Sequence, residues 1–462
     1  MSESTLSVRR LRFELERAYD VLGVGFGPSN LAVAAAIQEE AESPEGTKLR
    51  SLFLERKSGY AWHPDMLLEG AQVQLTFLKD LVTLRNPCSR FTFINYLKSK
   101  GRLDKFVNLR SFYPTRIEFN DYYSWVAQQL DPQVRYERAV SAISPVLSEN
   151  GRVDLLRVRA TDLAGGGTEE YLCRNLILAT GGVPCFPVGV AVPETEEIFH
   201  SQFFLDRVRR LYPDARAPYR FLVVGSGQSA AEIFQYLMNS YPDATVTGAL
   251  RRFAYKPADD SDFVNEIFFP QMVDVLYGMP ETRRRTILRD HYDTNYSAVD
   301  LDLIKAIYRT LYERMVVGDH RAVLKPFVEL RGLKKGAYGV VAEFWNAAEE
   351  RQEILEADGV ILATGYLRDK RHPLLEELAP YLVGDGRPDG RGYKVSRDYR
   401  VVTRPDFAPE IFLQGFCEDT HGLSDTLLSI LPVRSQEILD ALWGSMKAYA
   451  HGEEIDAQAH LA

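Results

Sequence analysis

Gly23-Val24-Gly25-Phe26-Gly27-Pro28-Ser29-Asn30-Leu31 is the stretch on which the reading of the fold turns. It follows an apolar run, Tyr19-Asp20-Val21-Leu22, that reads as a short buried strand. It opens Leu31-Ala32-Val33-Ala34-Ala35-Ala36-Ile37, a run rich in good helix formers. Strand, glycine turn and helix in that order make the start of a dinucleotide-binding βαβ unit. Its glycines let the backbone approach a pyrophosphate, and the helix N-terminus faces the negative charge. Pro28 takes the third small position of the usual fingerprint, so this turn alone also fits an ordinary strand-to-helix connection.

A second copy adds weight. Phe221-Leu222-Val223-Val224 is again a strand, and Gly225-Ser226-Gly227-Gln228-Ser229-Ala230 sets Gly225, Gly227 and Ala230 in full register with the fingerprint. Ala231-Glu232-Ile233-Phe234 then starts a helix. Two such turns imply two nucleotide sites, and the usual chemical reason for two is hydride transfer between a nicotinamide and a flavin.

At 462 residues the chain has room for two or three domains. A net charge of −9 disfavours nucleic acid or an anionic membrane as the main partner. No apolar run is long enough to span a bilayer. Arg9, Arg10 and Arg12 are followed by Glu14 and Glu16 rather than an apolar signal core. The N-terminus therefore reads as a surface helix or loose arm, and the expected location is the cytoplasm. The four cysteines, Cys88, Cys173, Cys185 and Cys417, form no Cys-x-x-Cys pair and none sits beside a His at ligand spacing. This disfavours a dithiol flavin reductase and a zinc enzyme, and no metal is expected. The thiols are expected to pack as small apolar groups.

Further along, Leu52-Phe53-Leu54 reads as a strand ending in Glu55, the candidate partner of an adenine ribose; a solvated strand-end charge is the alternative. Leu176-Ile177-Leu178-Ala179-Thr180-Gly181 is repeated by Val360-Ile361-Leu362-Ala363-Thr364-Gly365, which predicts where the chain leaves and re-enters the first domain. The strand from Ala244 to Leu250 ends in Arg251 and Arg252, where an NAD-preferring site would carry an acid. A cation there suits a 2′-phosphate and favours NADPH; solvated surface arginine is the alternative. Ser297 and Asp300 are spaced as a capping box, leaving Asn295 on a loop before a helix. Pro432 suits the first turn of a C-terminal helix.

Taken together, Gly23 through Asn30, Trp62-His63, Gln74 through Leu81, Leu84 through Pro87, Gly225 through Glu232, Asp259 through Glu266, Asn295 through Ser297, Ala363 through Tyr366 and His421 through Pro432 form a set spanning nearly the whole chain. It resembles the flavin- and NADPH-dependent N-hydroxylating monooxygenases, specifically the L-ornithine N5-hydroxylases of siderophore biosynthesis. By position, the resemblance implies that Lys79 and Asn265 hold the amino-acid head group. Asn295, Ser429 and Leu428 would line the rest of the site and place the side-chain amine, and Gln74, Lys79, Asn295 and Ser429 form the expected catalytic set. Gln74, Trp62 and His63 would lie near the flavin. Gly23, Gly25, Gly27, Pro28, Ser29, Asn30, Glu55, Arg56, Thr364, Gly365 and Leu427 would complete its cradle, and Gly225, Gly227, Gln228, Ser229 and Arg251 would meet the nicotinamide nucleotide.

The fold class so implied is α/β: two Rossmann-like domains for FAD and NADPH, the second inserted in the first, plus a small, mostly helical substrate region. The expected boundaries are an arm at 1–18, the first part of the FAD domain at 19–205, and an NADPH domain at 206–357 with a helical insertion at about 258–320. The second part of the FAD domain follows at 358–450, with a substrate segment at 415–435, and a tail at 451–462. The implied reaction uses NADPH to reduce FAD and O2 to form a C4a-hydroperoxide that hydroxylates N5 of L-ornithine. The alternatives are an L-lysine N6-hydroxylase, a diamine hydroxylase and a non-catalytic NADP-binding flavoprotein. The resemblance also allows a homotetramer.

Overall fold

Tyr19–Val24 lies inside a seven-stranded sheet, between Ser51–Leu54 and Thr168–Leu178, parallel to both. The computed structural model describes residues 17–46, 48–387, 390 and 392–451. The expected arm up to residue 16 and the tail from residue 452 lie outside the described residues. Val134–Arg135 extends the sheet on one side in parallel. On the other, Arg138–Leu147, Val153–Asp162 and Thr168–Leu178 form an antiparallel meander. The helix after the first turn, Pro28–Glu42, is buried from Asn30 to Ile37. A helix apolar on every side belongs inside a protein, and this one packs against the C-terminal helix Leu431–His451. The helix Arg116–Gln129 buries Phe119, Tyr122, Tyr123 and Val126 on one face.

The second sheet has five parallel strands in the order Ala322–Lys325, Thr245–Ala249, Arg220–Val224, Gly359–Leu362, Ile198–His200. This corrects two of the expected boundaries. Ile198–His200, expected in the first unit, and Gly359–Leu362, expected to re-enter it, both belong to the second sheet. The strand that does return to the first sheet is Glu410–Leu413, parallel to Asn175–Leu178. The repeated Ala-Thr-Gly follows the last strand before each crossing, Thr168–Leu178 on leaving the first sheet and Gly359–Leu362 on returning toward it, and the two connections pair through Val183–Pro184 and Tyr366–Leu367. Between residues 262 and 316 the chain forms four helices: Asp262–Asn265, Pro270–Gly278, Glu281–Asp290 and Leu301–Val316. The capping box is also corrected. Asp300 is itself the N-cap, accepting from the backbone N–H groups of Asp302 and Leu303, while Ser297 sits at φ +56° in the loop before it.

Candidate active site

At the first glycine turn three glycines do three jobs. A Cβ on Gly23 would lie 2.2 Å from the Phe53 ring, so this glycine lets strand and neighbouring strand residue pack. Gly25 has φ +83°, where side chains are strained, and faces the Ala179 carbonyl. Gly27 begins the helix with no side-chain cap, and a Cβ there would meet nothing within 4 Å. Uncapped N–H groups facing open space, with Pro28 in the first turn, fit a pyrophosphate. Asn30 is placed differently from its expected role. Fully buried, it donates to the Gly25 carbonyl at 2.7 Å and accepts from Gln414 Nε2 at 2.9 Å, supporting the turn from behind. Glu55 is buried and accepts from the backbone N–H of Phe26 at 2.7 Å and of Lys57 at 3.0 Å, while Arg56 beside it is exposed. The carboxylate therefore stands at the mouth of the turn, where a ribose would be held.

The second turn repeats the plan. Gly225 has φ +146° and Gly227 starts Gln228–Ser240 without a side-chain cap. Gln228 donates to Glu232 Oε1 at 2.9 Å and accepts from the backbone N–H of Asp300 at 2.8 Å. Glu232 in turn receives both prongs of Arg116, each at 2.8 Å, across the boundary between the two sheets. At the strand end, Arg252 is paired with Asp293 at 2.9 Å. Arg251 is exposed, with no ion-pair partner among the described residues, and is free to meet a phosphate.

The segments that carry Asn295, Leu428 and Ser429 meet at the loop Asn295–Ser297. A Cβ on Gly227 would be 3.6 Å from Ser297 Cα, so this loop abuts the second turn. Its Tyr296 hydroxyl donates to Glu418 and lies 3.0 Å from Thr426 Oγ1. The loop is thereby tied to the stretch carrying Leu427, Leu428 and the buried Ser429. The turn Glu266–Phe268, next to Asn265, packs against Leu423–Thr426, and the Asn265 amide itself donates to the Asp260 carbonyl at 2.9 Å. Lys79 ends a short helical turn, Phe77–Lys79, half-buried. Among the described residues no hydrogen bond or ion pair joins its side chain to the other four substrate candidates, and Gln74 is exposed nearby on the same segment. Asp80 below it is buried and takes four bonds: from the N–H groups of Val82, Thr83 and Phe93 and from the Thr83 hydroxyl. Burial pushes the Asp80 carboxyl up while these donors pull it down.

Aromatic and charged groups flank the two turns. Trp62 stacks edge-on to Tyr123 at 5.5 Å, and its backbone N–H donates to Asn120 Oδ1 at 2.9 Å. His63 has φ +45° and lies 6.1 Å from the Tyr366 ring. The residue as a whole is exposed, yet loss of water around its ring, with the cations Arg116, Lys57 and Arg368 nearby, brings its pKa down to about 4. Thr364 donates to the Cys185 carbonyl and the Gly365 carbonyl receives His200 Nε2 at 2.9 Å. Both follow the second-sheet strand, at the seam where Tyr366 pairs with Pro184. Burial raises the Glu418 carboxyl.

The family model described as L-lysine 6-monooxygenase/L-ornithine 5-monooxygenase matches residues 17–368. The chain belongs to this family. It is 43% identical over 410 residues to an L-ornithine N(5)-monooxygenase of Burkholderia cepacia, covering 88% of this chain and 90% of that one. Among solved structures it is similar to the ornithine N-hydroxylase of Kutzneria sp. 744 with reduced FAD, NADP+ and L-ornithine, at TM-score 0.86 and 39% identity, over 92% of this chain and 99% of that one. The L-lysine 6-monooxygenase of Pseudomonas syringae is similar at TM-score 0.80 and 33% identity, with 92% and 99% covered. Family motifs pointed to the turns and loops, but not to Arg116, Glu418 or the pair Asp425–Arg434. The signal available for the last was a charge of each sign flanking an apolar run, Leu427 to Val433. Of the four cysteines, only Cys173 and Cys417 are fully buried; Cys88 is exposed.

Proposed function

We propose that this chain hydroxylates N5 of L-ornithine, using FAD, NADPH and O2. The observation that carries the reading is the Asn295–Ser297 loop, which touches the second glycine turn on one side and the Thr426–Ser429 stretch on the other. A nicotinamide site and an amine site then share one wall. FAD, when bound at the first cradle, accepts hydride and activates oxygen. The protein's own residues do the rest.

The reacting amine must be neutral. An alkylamine titrates near ~10.4, so at pH 7 removing its proton costs about 4–5 kcal/mol. Removal of the amine from water offsets this, and the half-buried Asn295 and buried Ser429 are suited to orient the neutral amine. Lys79 matches an α-carboxylate and fixes which end of the substrate enters. Ornithine is favoured over lysine because the ornithine relatives are the more similar, at 43% and 39% against 33%. One methylene is worth only ~1–3 kcal/mol of discrimination, so the preference should be measurable but finite. The described cysteines are all free, which supports a reducing cytoplasm as the location.

The deciding assay follows NADPH oxidation and N–OH product with ornithine, lysine and a diamine side by side. Product from ornithine in preference is expected; faster product from either rival overturns the assignment. In Lys79→Ala the ornithine KM should rise by about tenfold or more while NADPH oxidation persists. An unchanged ornithine KM would remove Lys79 from the site.

A further inference from the structure

Arg434 is only 1% exposed, yet it belongs to neither cradle helix and to none of the expected site residues. Its Nη1 donates to Asp425 Oδ1 at 3.0 Å and to the Asp425 carbonyl at 2.6 Å. Its Nη2 donates to Ser29 Oγ at 3.1 Å, and its guanidinium lies 5.6 Å from the Tyr399 ring centroid. Nε has no partner. Asp425, equally buried, accepts from the Cys417 N–H at 2.7 Å through its other oxygen.

Stability alone does not account for this pair. Replacing a buried ion pair by apolar residues of similar volume is often neutral or stabilising. The position is also unfavourable for a cation by itself. Ser29 is the second residue of Pro28–Glu42, whose N-terminus carries partial positive charge and no side-chain cap. A guanidinium one hydrogen bond behind that end adds like charge to like, and both are relieved when an anion lies in front of Gly27. Asp425 covers one edge of the cation and anchors the segment Cys417–Ser429; it does not reach Ser29.

We propose that Arg434 is a positioning residue for cofactor retention: acting through Ser29, it adds a buried positive charge to the pyrophosphate end of the first cradle, while Asp425 holds the substrate segment. This rests on the first turn being the FAD site. The two halves of one ion pair then do separable work, and the test exploits the separation.

Apoprotein is titrated with FAD and the dissociation constant read from flavin fluorescence, with the thermal midpoint of each apoprotein measured alongside. Arg434→Met should weaken FAD by about tenfold or more. The double variant Arg434→Met with Asp425→Leu, which leaves no buried charge, should fold with a midpoint near the wild type and still bind FAD more weakly. Asp425→Asn, which keeps the cation, should bind FAD as tightly as the wild type or more so, while its ornithine KM rises. Wild-type FAD affinity in the double variant overturns the proposal, as does an Asp425→Asn loss equal to that of Arg434→Met. If Arg434→Met does not fold, the double variant and Asp425→Asn decide. Wild-type protein that binds no FAD would instead sink the cradle assignment.

Discussion

Behind each glycine turn stands the end of an Ala-Thr-Gly strand. A Cβ at Gly25 would lie 2.7 Å from the Ala179 carbonyl oxygen, and one at Gly225 would lie 2.3 Å from that of Ala363. The two cradles are otherwise finished in opposite ways. The first is locked from behind by buried residues far along the chain, with Gln414 on the buried Asn30 and Arg434 on the half-buried Ser29. Its strand-end group is a carboxylate. The second is held by Glu232 and the Asp300 N–H on the half-buried Gln228, and its strand-end group is an exposed cation. A closed, acid-edged cradle suits a cofactor that stays; an open, cation-edged one suits a phosphate-bearing cofactor that comes and goes. The same backbone plan serves both because the turn needs only glycine and a neighbouring carbonyl, while the side chains around it set residence and selectivity.

The contrast breaks most visibly at the turns. Gly25→Val should abolish flavin content, since φ +83° and a backbone oxygen at 2.7 Å leave no room. Gly225→Val should keep flavin absorbance while raising the NADPH KM by about a hundredfold or more. Flavin loss in both, or in neither, would erase the distinction. Next in size, Arg251→Ala should lower the ratio of kcat/KM for NADPH over NADH by about tenfold to a hundredfold. Arg252→Ala should lower it less, because Asp293 already holds that guanidinium. Gln228→Ala and Ser229→Ala should each raise peroxide formed per NADPH oxidised by about tenfold or less, since loosened nucleotide lets water reach the reacting centre. Unaltered coupling in both would detach these residues from the nicotinamide.

The smallest effect concerns pH. His421 is fully buried, stacked on Tyr399 at 4.4 Å, with Nε2 toward the Arg397 carbonyl at 3.1 Å and Thr420 Oγ1 2.9 Å from Nδ1. Burial is the main reason its pKa falls from 6.5 to about 3, with Arg397, Lys370 and Arg434 adding repulsion. The folded state thus binds the proton more weakly than the unfolded chain. Its contribution is present above about pH 6.5 and is lost as pH falls toward 3, by at most ~1.4 kcal/mol per pH unit. Denaturation midpoints for His421→Gln between pH 7 and about 5 should therefore slope less steeply than the wild type's. Equal slopes would mean that this ring does not titrate on unfolding.

Much of the plan was legible in the order of residues. Both glycine turns, the acid after the first unit's second strand, the cations after the second unit's, and the buried helix Pro28–Glu42 depend on spacing within a few residues. Backbone sterics and hydrophobic periodicity operate on that scale. The strand Gly359–Leu362 could not be assigned to its sheet in this way, because an apolar strand closed by Ala-Thr-Gly reads alike in either unit.

What the sequence by itself determined is the pair of turns and the charge at each mouth. Only the tertiary structure decided which sheet each strand joins and which side chains finish each cradle. Ser29 and Arg434 are 405 positions apart, and Asn30 and Gln414 are 384 apart. Contacts between single polar groups at such separations leave no period and no local propensity. They exist because burial obliges each group to find a partner, and only the folded chain brings one within reach.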